Sequence, residues 1–256
     1  MTIEHIANGN PRGTRQEIDA LRGTGLLQSR DEWAARNDEL SASLNQLIRR
    51  YRLARTDNAL DVGCMSGELT DRYGEGLNLS WSGIDPDIPE SKISRNGARL
   101  YPGFGHQLAF PNDHFDCVTF ANVYEHVPPA LRAATLAEIY RCLTPGGILV
   151  GQLPNPYFPI ESHSRLPFLG VLPRPLQRVY WRLTPTGWDF EKAHFFSVSM
   201  NDLKRRAQAC GFEVIAVRNF NYSVRAIPKS VHWLAAIHSR LGILPWAWQF
   251  AFRKPL

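Results

Sequence analysis

The chain has 256 residues, 44% of them hydrophobic and 21% charged, which suits one globular domain with a sizeable core and some elaborations. Its four cysteines are scattered without CxxC spacing, so the sequence predicts neither a disulfide framework nor a zinc or other metal site. The net charge of +5 comes from basic residues interspersed with acids, a pattern that argues against a nucleic-acid-binding surface.

Two features bear on localisation. Residues 1–20 contain no continuous apolar run and therefore do not resemble a signal peptide, and the scattered thiols favour a reducing, cytoplasmic setting. The longest apolar stretch, residues 231–252, is interrupted by His238, Arg240, Gly242 and Pro245, which makes it a poor membrane span. Peripheral contact with a membrane remains an open alternative.

The first predicted element is a helix over residues 31–51. Apolar Leu40, Leu44, Leu47 and Ile48 recur in it at helical spacing, and arginines near its end suit the helix dipole. Residues 1–57 are therefore predicted to form an N-terminal extension and helix, and residues 58–256 the main domain.

A short buried strand over residues 59–62 then breaks into a turn. Gly63 and Gly67 permit a sharp turn with close backbone approach before a helix begins at Glu68. A GxGxxG dinucleotide fingerprint would need glycine at positions 63, 65 and 68, whereas the chain has Met65 and Glu68, so a nicotinamide site is disfavoured. The next strand ends at Asp85, whose carboxylate can accept hydrogen bonds from both hydroxyls of a ribose.

Further strands are predicted over residues 115–121, 148–153, 212–217 and 246–253. Proline and glycine interrupt residues 99–110, so no clean third strand is predicted there. Strand and helix alternate through residues 58–153, which implies an α/β fold with a parallel sheet and helices on both faces.

Two segments interrupt this alternation. Residues 154–190 are rich in proline and aromatic residues and too long for an ordinary connection, which predicts a substrate-covering lid. A small apolar core within the lid explains its aromatic residues equally well. Residues 228–244 are predicted to form an amphipathic excursion.

The motifs occur in the order of a known family. The spacing Asp61-x-Gly63-x-x-x-Gly67 resembles the first motif of class I S-adenosylmethionine (SAM) methyltransferases, of the methyltransferase type 11 or ubiquinone-biosynthesis-like family. Ile84-Asp85, Phe110 to Asp116, Asn122-Val-Tyr-Glu-His-Val127 and Thr144-Pro-Gly-Gly147 follow in the family's order. The resemblance implies a Rossmann-like, seven-stranded, mostly parallel sheet whose last strand is antiparallel, with SAM as the cofactor and a lid insertion after strand 5.

The cofactor-binding residues that the resemblance implies lie in the turn, at the end of the second strand, in residues 106–108 and after the fourth strand: Asp61, Gly63, Cys64, Met65, Gly67, Asp85, Pro86, His106, Gln107, Leu108 and Asn122. Two positions depart from the family pattern. Met65 replaces the middle glycine of the turn, and Phe104 stands where the family has an adenine-binding Asp. Backbone groups of residues 106–108 are then expected to contact the adenine.

Methyl transfer from a sulfonium is an in-line displacement, so the enzyme mainly orients the nucleophile and excludes water. An oxygen nucleophile also benefits from a base, for which His126, His163 and His194 are the candidates and Glu161 an orienting partner. Structural roles remain open, with His126 in the scaffold and His194 anchoring the lid.

The resulting hypothesis is a SAM-dependent methyltransferase that acts on a small molecule, at oxygen of a sugar, a lipid-linked intermediate or a secondary metabolite. The alternative is a non-catalytic binding or regulatory protein with a degenerate methyltransferase fold, because Met65 and Phe104 both touch the cofactor region. No nucleic-acid partner is expected, and the sequence does not determine the oligomeric state.

Overall fold

The computed structural model describes residues 30–73, 76–161, 166–183, 196–226 and 244–256. It begins with helix α1 (Arg30–Tyr51), which has acidic residues in its first turn and basic residues in its last, as the helix dipole favours. The apolar side chains that predicted this helix, Leu40, Leu44, Leu47 and Ile48, are all buried. The predicted N-terminal helix is therefore confirmed.

An eight-stranded sheet forms the centre of the described structure, in the order β3-β4-β2-β1-β5-β6-β8-β7. The strands β4, β2, β1, β5 and β6 are mutually parallel, whereas β8 runs antiparallel to both β6 and β7. The strand bounds are β1 Asn58–Val62, β2 Ser80–Asp85, β3 Lys92–Ile93, β4 Arg99–Pro102, β5 Phe115–Ala121, β6 Leu143–Pro154, β7 Glu213–Phe220 and β8 Ala247–Arg253.

The two faces of the sheet are covered by α1, α2 (Glu68–Tyr73), α3 (Arg132–Cys142) and α5 (Met200–Ala209). Helix α4 (Arg174–Arg182) belongs to the segment after β6, and 3₁₀ turns lie at Tyr124–His126, Leu169–Val171 and Val224–Ala226. One apolar core lies between the sheet and the α1 and α2 side, and a second lies between the sheet and the α3 and α5 side. The fold is thus the predicted Rossmann-like α/β sheet with an antiparallel C-terminal strand.

The structure corrects one prediction and adds one strand. Residues 99–102 do form a strand, β4, which pairs in parallel with β2 despite Pro102 at its end and Gly103 directly after it. Leu100 is buried there, so tertiary packing outweighs the weak local signal. The added strand is the two-residue β3, which pairs antiparallel with β4 at the edge of the sheet.

Within the described ranges, no helix is long and apolar enough to cross a membrane. Most of the predicted excursion at residues 228–244 lies outside these ranges, as do residues 162–165 and 184–190 of the lid segment. The lid residues that are described include α4 and a small apolar cluster around Leu169 and Trp181. The aromatic side chain of Trp181 thus packs with Leu169 of the same segment, and the substrate-covering role of the segment stays a prediction.

Candidate active site

The turn after β1 depends on left-handed backbone conformations. Gly63, Met65 and Gly67 have φ angles of 81°, 51° and 88°. A Cβ atom on Gly63 would lie 2.4 Å from a methyl group of Val123, so this glycine is required by space as well as by φ. Met65 adopts the strained conformation without that freedom, which explains why glycine is the family's usual residue at its position.

Asp85 at the end of β2 holds this turn in place. Its Oδ2 accepts a hydrogen bond from the Met65 backbone N–H at 2.8 Å, and its Oδ1 accepts one from the Asp87 N–H at 2.9 Å. The residue is only 1% exposed, and Pro86 beside it is exposed. Each carboxylate oxygen has a second acceptor position, so hydrogen bonds from a ribose would share Asp85 with the turn.

Asp61 lies beneath the turn and is buried between two hydroxyl groups. Its carboxylate accepts hydrogen bonds from Thr70 of α2 at 2.6 Å and from Thr119 of β5 at 2.7 Å. Burial raises its pKa from 3.8 to about 6, and the two hydroxyls oppose that rise. The site therefore contains a buried carboxyl group that titrates close to neutrality.

The side chains of Cys64 and Met65 differ in exposure, since Cys64 is buried and Met65 is exposed. The Cys64 thiol is buried, and a Cβ on Gly83 would lie 2.7 Å from its sulfur, so the side chain packs against the sheet and only its backbone lines the turn. Burial raises the pKa of this thiol above its usual range. The Met65 side chain is 45% exposed, and no core packing prevents it from turning aside for a ligand.

In the predicted adenine region, backbone groups already form hydrogen bonds within the protein. The Leu108 N–H donates to Glu138 at 2.9 Å and the Leu108 carbonyl accepts from Arg141 at 2.9 Å, so both backbone groups already have partners. The Gln107 N–H closes a turn onto the carbonyl of Phe104 at 3.0 Å. The rings of Phe104 and His106 lie 5.4 Å apart and are half-buried, which makes them the aromatic surface of this region.

The predicted catalytic residues are only partly described. His126 is half-buried at the end of the 3₁₀ turn after β5, and its backbone N–H donates to the Val123 carbonyl at 2.8 Å. Glu161 is buried in the segment predicted as the lid, where its backbone N–H donates to the Leu166 carbonyl at 3.1 Å. His163 and His194 lie outside the described residues, so their roles stay predictions.

A chain of polar side chains, which the sequence analysis missed, joins the ends of β5, β6 and β7. The Gln152 Nε2 donates to Asn122 Oδ1 at 3.1 Å and to the Tyr222 hydroxyl at 2.7 Å. Asn122, a predicted cofactor residue, has a φ of 57° and directly follows β5. The signal for Gln152 was its amide in the otherwise apolar run of β6.

Polar residues continue from Gln152 across β8 to β7. Gln152 pairs in register with Gln249, and Gln249 with Arg218. The Gln249 Oε1 accepts from Arg218 Nε at 3.0 Å and from the Ser43 hydroxyl of α1 at 2.8 Å. Because each amide has a partner, these groups are buried without the full cost of desolvation, and they fix α1 against the sheet.

Comparison with known proteins finds a matching family model and several relatives. A family model described as a methyltransferase domain matches residues 32–217. The ubiquinone/menaquinone biosynthesis C-methyltransferase UbiE of Marinomonas sp. (strain MWYL1) is 28% identical over 130 residues, which cover 44% of this chain and 51% of that protein. UbiE of Proteus mirabilis (strain HI4320) is 24% identical over 211 residues, covering 75% of this chain and 83% of that protein.

One solved structure of the same fold contains SAM. Haemonchus contortus phosphoethanolamine N-methyltransferase 2 in complex with SAM has a TM-score of 0.53 and 15% identity, over 84% of this chain and 53% of that chain. The chain spans between about half and two thirds of the length of several of the curated relatives it matches.

The chain belongs to the methyltransferase domain family, whose model matches well over half of its length. Its class is that of the class I SAM-dependent methyltransferases, as the order of motifs predicted.

Proposed function

We propose that the protein transfers the methyl group of SAM to a small-molecule acceptor that binds beside the Asn122–Gln152–Tyr222 chain. The observation that carries the proposal is the hydrogen bond from Gln152 to the Tyr222 hydroxyl. Gln152 uses a lone pair of that hydroxyl, so its hydrogen is directed to another acceptor. An oxygen-bearing acceptor molecule fits this role.

The position of the Asn122–Gln152–Tyr222 side chains in the fold supports this assignment. Strands β1 and β2 carry the glycine turn and Asp85, while β5, β6 and β7 carry the polar chain, and ligands of open parallel sheets gather at the carboxyl ends of the strands. The cofactor half and the acceptor half of the site then lie side by side along one edge. This arrangement allows a cofactor and an acceptor to bind next to each other, as a methyl transfer between them requires.

Each half has residues with defined tasks. SAM supplies a methyl group activated on a sulfonium when it is bound. Asp85 and the turn at Gly63 to Gly67 hold the cofactor's ribose and amino-acid end. Asn122, which the sequence predicts as a cofactor residue, is here reassigned to the acceptor side, where the Asn122–Gln152–Tyr222 chain orients the acceptor hydroxyl. The bases proposed for that hydroxyl are His126, His163 and His194, with Glu161 as an orienting partner.

We infer oxygen as the methylated atom, because the hydrogen of the Tyr222 hydroxyl is the group proposed to contact the acceptor. Carbon is the second candidate, since the relatives from Marinomonas and Proteus are named C-methyltransferases. A hydroxyl on an aromatic ring is compatible with both outcomes, because its deprotonation activates the neighbouring ring carbons as well as the oxygen.

The test uses SAM with a ¹³C-labelled methyl group and a panel of phenols, quinols and sugar alcohols. Label that appears with the carbon shift of a methoxy group supports the proposal, and label with the shift of a methyl on carbon supports the second candidate. Calorimetric titration with SAM is run in parallel. Absence of SAM binding would favour the alternative of a non-catalytic protein with a degenerate methyltransferase fold.

A further inference from the structure

Helix α4 of the lid segment exposes an apolar stripe. Leu176 and Val179, with Leu183 directly after the helix, recur at helical spacing and are 54%, 54% and 79% exposed. The other side of the helix, with Gln177 and Trp181, is buried. A surface helix normally buries its apolar stripe, so the outward direction of this one indicates a partner for it.

The turn before α4 enlarges the apolar surface. Phe168 and Val171 are 60% and 46% exposed. Phe168 has a φ of 55°, and its N–H donates to the Pro159 carbonyl at 2.7 Å, so its backbone is held in a strained conformation. A backbone fixed in this way presents the phenyl ring at the surface.

A row of arginines lies beside the stripe. Arg174, Arg178 and Arg182 recur every four residues, and residues 166–183 contain no acidic side chain. Arg178 and Arg182 are exposed, and the guanidinium of Arg174 lies 4.8 Å from the ring centre of Phe196. At 100° per residue this row occupies the sector next to the buried face, so α4 has an inner side, a basic flank and an apolar outer side.

We propose that α4 docks the protein on the surface of an anionic phospholipid membrane, with Leu176, Val179, Leu183 and Phe168 among the acyl chains and the arginines at the phosphates. An apolar face next to a purely basic flank complements an anionic bilayer interface on both counts. The helix has nine residues, or roughly 14 Å, and so lies in the interface rather than spanning about 30 Å of hydrocarbon.

A second copy of the chain fits this surface less well. A two-fold contact through the stripe would bring two rows of arginines close to each other, which adds an electrostatic cost to that contact. A bilayer rich in phosphate presents the opposite charge. The inference goes beyond the proposed function, because it concerns where the enzyme binds and not what it methylates.

The experiment is co-sedimentation of the full chain with vesicles of phosphatidylcholine alone and of phosphatidylcholine containing one quarter phosphatidylglycerol. We expect binding to the anionic vesicles that weakens as salt is raised. The double variant L176E/V179E is expected to lower the partition coefficient roughly tenfold or more, because two apolar side chains leave the interface and two negative charges enter it.

The control is I93E, which places one such negative charge on an exposed apolar position of β3, outside the segment that contains α4. It is expected to bind as the unaltered protein does. Thermal melts check that all three proteins are folded. The proposal is overturned if the unaltered protein stays in the supernatant with both vesicles, or if L176E/V179E binds unchanged.

Light scattering tests the other candidate partner of the stripe, a second copy of the chain. A dimer that L176E/V179E converts to a monomer would assign the stripe to a second copy and overturn the proposal. No cofactor or acceptor is present in any of these assays, so their outcome is independent of the methyl-transfer test.

Discussion

The backbone N–H of Met65 donates a hydrogen bond to the carboxylate of Asp85 at 2.8 Å, across twenty positions of sequence. This contact joins the two cofactor motifs within the chain itself. The residue that replaces the family's middle glycine is therefore fixed by the same acid that is expected to bind the ribose. The geometry shows that Asp85 shapes the turn, and we propose contact with the cofactor as its second task.

Replacing Asp85 with alanine should weaken SAM binding between roughly tenfold and a hundredfold, because hydrogen bonds to a charged group contribute about 1.5–3 kcal/mol. Glu161→Ala in the lid should weaken it far less, and Glu90→Ala, on the exposed loop after β2, should have no effect. Calorimetric titration with SAM measures all three. Equal losses of SAM affinity for Asp85→Ala and Glu161→Ala would contradict the assignment of Asp85 to the cofactor site and of Glu161 to the predicted lid.

Gly63→Ala should unfold at a lower temperature than Gly97→Ala. Both glycines have positive φ, 81° and 90°, but a Cβ on Gly63 collides with Val123, whereas a Cβ on Gly97 meets nothing within 4 Å. We expect about 1 kcal/mol of destabilisation for Gly97→Ala from conformation alone, and at least about 2 kcal/mol for Gly63→Ala.

The double variant Gly63→Ala/Val123→Ala tests the steric part of this cost. Removing the valine methyl groups should recover the collision energy but not the cost of the φ angle. Urea titration of the four proteins measures the free energies of unfolding. If Gly63→Ala and Gly97→Ala prove equally stable, the close approach between Gly63 and Val123 does not limit the turn.

Asp61 should make the stability of the protein depend on pH in the weakly acidic range. Its native pKa of about 6 lies above the reference value of 3.8, so the native state binds the proton more tightly than the unfolded state. This contribution is complete below about pH 4 and is lost as pH rises to about 6. Asp61→Asn should therefore gain about 2–3 kcal/mol relative to the unaltered protein between pH 4 and pH 7.

The asparagine keeps the shape of the side chain, and the hydroxyls of Thr70 and Thr119 can rotate to accept from its amide. Glu90→Gln serves as the exposed control and should show no such trend. Denaturant titrations at several pH values provide the comparison. A constant difference between Asp61→Asn and the unaltered protein would contradict the raised pKa.

Tyr222→Phe should reduce kcat/KM for the acceptor roughly tenfold and leave the Kd for SAM unchanged. The substitution removes the hydroxyl that Gln152 contacts at 2.7 Å, which is the proposed acceptor contact, while the ring remains. Tyr101→Phe in β4 is the matched control, because its half-buried ring packs edge-on against Phe110 on the cofactor side of the sheet. A change in SAM affinity with unchanged acceptor kinetics would place Tyr222 in the cofactor half instead.

Local sequence determined most of the fold. The strand before Gly63 and helix α1 each have a signal in adjacent residues: an apolar run and a helical period. Such signals depend only on neighbours along the chain. The order of the sequence motifs was also enough to predict the family.

Tertiary structure alone decided how the site's polar groups are paired. Strand β4 forms because Leu100 packs in the core and β2 supplies its hydrogen bonds, although Pro102 at its end and Gly103 after it disfavour a strand. Gln152 and Tyr222 are seventy residues apart, and the hydrogen bond between them depends on how β6, β7 and β8 lie together in the sheet. Contacts of this range follow from strand order and register, and no local pattern in a single sequence records either one.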